Sequence, residues 1–137
     1  MPRPMNQPIP APTEAELEVL KVLWKNEGPL ELGQICSDLR KRRPVATTTV
    51  STVLNVMLEK GLISRRKGPR AYLWSAKADP DSTKNNMMAK LIRLVFDGEP
   101  PKLVATLLNG NLSDRDREEI HRLMQQDASG HRTPSDT

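Results

Sequence analysis

Thr48, Ser51, Thr52, Asn55 and Glu59 recur at 0, +3, +4, +7 and +11, the spacing that brings side chains to one face of an α-helix. Short hydroxyl and amide side chains on such a face let the helix approach a groove closely, where they can bond phosphates or base edges and Asn can pair with adenine. That chemistry is recognition, with no bond made or broken. A helix face turned to water would favour Lys, Glu, Gln or Arg, which support helices better than Thr, Ser or Asn. The competing account is local: Thr47 or Thr48 starts this helix, and hydroxyls are common at helix starts for capping alone. The opposite face, Val50, Val53, Leu54, Met57 and Leu58, is a stripe that packs on a core.

Cations accompany this face. Arg43 closes the run Arg40-Lys41-Arg42-Arg43 just before it, and Arg65, Arg66, Lys67 and Arg70 follow it. Residues 1–77 hold 13 Lys and Arg against 7 Asp and Glu, a net +6, whereas residues 78–137 hold 8 against 10, a net −2. A concentrated positive half suits a polyanion, because each cation that neutralises a phosphate releases condensed counterions. Ordinary solvated charge is the alternative that this count alone leaves open. Catalysis finds no footing. His121 and His131 lie in the acidic last helix and the tail, no Ser or Cys has a base at a recognisable spacing, and the scattered glycines make no phosphate loop. No cofactor or metal site is expected. Cys36 is the single cysteine, so no internal disulfide or multi-thiolate zinc site can form, and its place in an apolar stripe favours a buried, inert core residue over a redox switch. No run approaches the roughly 18 apolar residues of a membrane span, and the first residues lack the apolar centre of a signal peptide. The expected location is the cytoplasm, without membrane insertion.

The elements that must position these residues can be read in order. Residues 1–12 are proline-rich and are expected to form a disordered arm. Thr13 and Glu16 make a capping box for a helix to about Asn26 that carries Leu17, Leu20, Leu23 and Trp24, ended by Gly28-Pro29. Leu32, Ile35, Cys36 and Leu39 mark a second, short helix, and the Thr-rich helix is the third, ended by Gly61 in a left-handed conformation. Residues 62–76 alternate and turn at Gly68-Pro69, a hairpin with a basic tip. The expected fold is mainly α with a small β-hairpin wing: a winged helix-turn-helix over 13–77, whose third helix enters the major groove while the wing reaches flanking backbone or minor groove. The DNA-binding set is then Arg43, Thr47, Thr48, Thr49, Ser51, Thr52, Asn55, Arg65, Arg66, Lys67 and Arg70.

Residues 78–127 hold three further apolar stripes: Met88, Leu91, Ile92, Val95 and Phe96; then Leu103, Val104, Leu107 and Leu108; then Ile120, Leu123 and Met124, with Ser113 as N-cap. Helices this short need packing partners. They can fold back on the winged domain or pair with the same segment of a second chain; the homodimer is the favoured reading, because a twofold pair matches two half-sites. Residues 128–137 are expected to be a disordered tail.

The segments TEAELEVLKVLW, TVSTVLNVMLEKGLI and GPRAYLW, and within them Thr49 to Asn55, Lys60-Gly61 and Arg70 to Tyr72, resemble the penicillinase-repressor family, which includes methicillin-resistance and copper-responsive repressors. The resemblance runs from about Thr13 to Gln126. It implies a bacterial transcriptional repressor that binds double-stranded operator DNA at an inverted repeat as a homodimer. Family members often carry Lys before the Thr-Val pair and Arg after the Asn, where this chain has Thr48 and Val56. The paired Cys ligands of copper-responsive members are absent. In antibiotic-responsive members release follows proteolysis at an Asn-Phe bond, so the resemblance implies a regulatory membrane protease as a partner; the corresponding bond here is Thr106-Leu107, a different pair. A winged helix used for protein contact or for non-specific DNA architecture is the alternative that the fold leaves open.

Overall fold

The computed structural model describes residues 9–128. Three helices come first: α1 Glu14–Lys25, α2 Leu32–Arg40 and α3 Thr47–Lys60. Helix α1 starts where its capping box places it, with Glu16 N donating to Thr13 Oγ1 at 3.3 Å and Thr13 N donating to Glu16 Oε1 at 2.9 Å. At the start of α2, Glu31 N donates to Gln34 Oε1 at 2.8 Å. Gly61 ends α3 at φ 83°, left-handed backbone that a side chain would strain.

The hairpin pairs β1 Ile63–Lys67 with β2 Tyr72–Ala76 in antiparallel register, Ser64 opposite Ser75 and Arg66 opposite Leu73. Leu30 adds one residue of strand on the other side of β2: its N donates to Trp74 O at 3.0 Å, and Trp74 N donates to Leu30 O at 2.7 Å. The wing is thereby tied to the segment between α1 and α2. Gly68 is required by a close approach, since a Cβ there would lie 2.6 Å from the Ala71 carbonyl oxygen that its own N–H bonds.

The core lies among these elements. Val19, Leu20 and Leu23 of α1, Ile35, Cys36 and Leu39 of α2, and Val50, Leu54 and Met57 of α3 bury against Leu62, Ile63 and Trp74. Cys36 is buried within this apolar cluster, where the stripe of α2 places it. Glu16, only 4% exposed, also holds Lys60 Nζ at 2.8 Å, so the start of α1 is fastened to the end of α3. A buried carboxylate without such a partner would be costly.

Three further helices follow: α4 Pro80–Val95, α5 Pro100–Leu108 and α6 Asp114–Ala128. Ser113 begins α6 as expected, its Oγ accepting from Asp116 N at 3.1 Å. The chain divides into two compact units at Lys90–Leu91, thirteen residues beyond the boundary expected after residue 77. The reason is tertiary. Ala78 and Thr83 are buried, and Trp24 Nε1 donates to Ala78 O at 2.8 Å, so the start of α4 belongs to the first core. The expected arm also ends earlier than residue 12, because Ile9 packs against the core and Pro12 is buried. Residues 1–8 of that arm, and the tail beyond Ala128, lie outside the described residues.

Candidate nucleic-acid interface

The backbone just before α3 bears on the capping account of its hydroxyls. The N-cap residue is Ala46, which has no side chain able to cap, and Thr47 is already helical. Thr47 Oγ1 instead accepts from Arg40 Nη2 at 2.7 Å, and Arg40 Nε donates to Val45 O at 2.9 Å. Arg40 therefore braces the turn between α2 and α3, a role outside the expected set. Capping leaves the Thr residues unexplained.

Val50, Leu54 and Met57 point α3 inward, so Thr48, Thr49, Thr52 and Asn55 stand exposed on the other side, with Thr47 at the first turn. Ser51 is half-buried at the margin of this face. Val56 is also outside, 39% exposed; the periodicity of the apolar stripe already excludes it from the core face, a signal that was legible in the residues. Thr52 Oγ1 donates to Thr48 O at 3.0 Å, which occupies its proton within the helix.

The cations flank this face, and several are held. Arg43 follows α2, and its Nη2 lies 2.6 Å from Glu18 Oε1; that hydrogen bond keeps the Glu18 carboxyl below its ordinary pKa and raises that of Arg43. Arg70, between the strands, pairs through Nε with Glu31 Oε2 at 3.0 Å, and the same hydrogen bond raises the arginine's pKa. Arg65 lies with its guanidinium 4.0 Å from the centre of the Tyr72 ring and 5.4 Å from that of Trp74, cation–π contacts that stretch it along the wing. Arg66 and Lys67 are exposed on β1. The expected residues thus fall on α3, the turn before it and the hairpin, all within the first compact unit.

Further exposed residues are apolar. Met88 and Leu91 of α4 are exposed, as are Leu94 and Val95, at 64% and 60%. In α5 Leu107 and Leu108 are exposed and Leu103 is half-buried; in α6 Leu123 is exposed and Met124 is 66% exposed. Ile92, Phe96 and Ile120 are half-buried. Helix α5 buries none of its residues, and among the described residues of α6 none is buried either, so each carries an exposed amphipathic stripe.

The sequence pattern of the family described as penicillinase repressor matches residues 12–126. This chain belongs to the penicillinase repressor family. The family consists of transcriptional repressors, so this penicillinase-repressor chain is a DNA-binding regulator and not an enzyme. The penicillinase repressor of Bacillus licheniformis is 24% identical over 119 residues, covering 86% of this chain and 92% of that protein. The Staphylococcus aureus penicillinase repressor is 22% identical over 111 residues, 80% of this chain and 87% of that one. Among solved structures, the DNA binding domain of the repressor BlaI aligns at TM-score 0.48 with 28% identity, over 54% of this chain and 89% of that chain.

Proposed function

We propose that this repressor acts in the bacterial cytoplasm as a homodimer on an inverted-repeat operator. One α3 enters the major groove of each half-site while the hairpin and Arg43, at the corner before α3, grip flanking phosphates. The observation that carries this reading is the outer face of α3: short polar residues that do not cap their helix, flanked on both sides by cations. The exposed apolar stripes of α4, α5 and α6 supply the pairing surface, through Met88, Leu91, Ile92, Val95, Phe96, Leu103, Leu107, Leu108, Ile120, Leu123 and Met124. Release follows when this C-terminal segment is opened or cut, with a regulatory membrane protease as the agent the resemblance implies. The bond Thr106-Leu107 lies in the last turn of α5, a nine-residue helix with nothing buried, and such an element opens locally at small cost.

Selection from random duplex DNA with the full-length protein, at about 150 mM salt where purely electrostatic binding is weakened, tests the reading. Enrichment of an inverted repeat is the expected result. Binding that persists at low salt with no sequence enriched would replace it with non-specific DNA architecture.

The ion pairs at the interface add a prediction. Glu31 competes with phosphate for Arg70 in the free protein. Glu31→Gln removes that competitor and is expected to tighten binding to operator and random duplex alike by about two- to fivefold, the scale of one surface ion pair. Fluorescence anisotropy titrations on both duplexes measure it, and unchanged affinity for both would show that Arg70 does not reach DNA.

A further inference from the structure

Among the exposed residues of α3, Val56 is the one whose side chain offers no hydrogen bond at all. It is 39% exposed, and it lies one turn beyond Thr52 on the same side as Thr49 and Thr52, away from the face that buries Val50, Leu54 and Met57. Nothing local favours it there, because a β-branched residue on an exposed helix face holds the helix less well than Ala, Lys or Glu would. Its neighbour behaves alike. Thr52 Oγ1 donates its proton to Thr48 O at 3.0 Å, so the groups Thr52 can present to a partner are its methyl and an oxygen lone pair. Val56 and Thr52 together form a methyl-bearing spot, one helical turn long, within an otherwise polar face.

Phosphate oxygens have no use for such a spot, and neither do the donor and acceptor edges of guanine, cytosine or adenine. The one apolar feature of the major groove is the C5-methyl group of thymine. We infer that Val56, with the Thr52 methyl beside it, reads the methyl of a thymine in each operator half-site. This assignment rests on the placement of α3 in the major groove proposed above.

Deoxyuridine pairs with adenine as thymidine does and differs only in lacking that methyl. The test takes the duplex enriched by the selection described above and replaces its thymidines by deoxyuridine, one position per half-site at a time, with affinities measured by competition at about 150 mM salt. For the full-length protein one position is expected to weaken binding about fourfold per half-site, the ratio that follows from removing one methyl from an apolar contact. Val56→Ala, at a solvent-exposed position, is expected to bind the unmodified duplex about as weakly as the natural protein binds the deoxyuridine duplex, and to lose most of its response at that position. Deoxyuridine without effect at every position overturns the assignment while leaving the groove reading standing. So does a position whose effect is equally large in Val56→Ala, because another residue then reads the methyl. A selection that enriches no sequence removes the groove reading itself, and the assignment with it.

Discussion

A chain ending at Lys90 is expected to run as a monomer in light scattering and to bind the operator about 10²- to 10⁴-fold more weakly than the full chain, the range over which joining two binding modules raises affinity. The cut falls where the chain divides into its two units. Ahead of it the fragment keeps the whole first core, including buried Ala78 and Thr83 and the bond from Trp24 Nε1 to Ala78 O. Its thermal unfolding should therefore remain cooperative. Behind the cut go Leu91, Leu94, Val95 and all of α5 and α6, the surfaces assigned to pairing. A fragment that stays dimeric would place the interface on the winged unit instead; one that is monomeric but binds as tightly as the full chain would mean that a single module suffices. Ending the chain at Ala76, as the hairpin boundary alone would recommend, is expected to perturb folding as well, since it strips Trp24 of its acceptor.

The difference between those two cuts shows what the residues carried and what they did not. Local rules were legible: Thr13 and Glu16 start α1, Gly61 stops α3 at φ 83°, and Ser113 starts α6. Each is a relation within four residues, and the periodic stripes between them located every helix. Long-range pairings were invisible. Leu30 joins β2 as a single residue with no strand pattern of its own, and Glu16 meets Lys60 across 44 positions. Ile9 falls in the expected arm and Ala78 at the start of the segment set apart from the winged domain, yet the first packs against the core and the second is buried. For the interface, the types and spacing on α3 pointed to recognition. Whether the Thr residues capped the helix depended on one backbone fact, that Ala46 holds the N-cap position. The cations were read as a cluster, but their engagement with Glu18, Glu31 and Tyr72 depends on neighbours that only the tertiary structure supplies.

Those engagements also determine which substitutions separate reading from gripping. Asn55 is exposed on α3 and offers an amide that can bond both N6 and N7 on the major-groove edge of one adenine. Asn55→Ala is expected to weaken operator binding by about 1–3 kcal/mol, roughly five- to 150-fold, with random duplex little changed. Arg66 is the cleanest cation for comparison. Arg65 is stacked on Tyr72, Arg70 is paired with Glu31 and Arg43 with Glu18, so truncating any of them disturbs protein contacts too. Arg66 stands exposed on β1 opposite Leu73. Arg66→Ala is expected to weaken operator and random duplex alike and to lower the slope of log affinity against log salt by about one, the signature of a lost phosphate contact. Salt titrations of both variants on both duplexes distinguish the roles. If Asn55→Ala weakens random and operator DNA to the same degree, Asn55 does not read a base and serves only to hold the helix against the backbone.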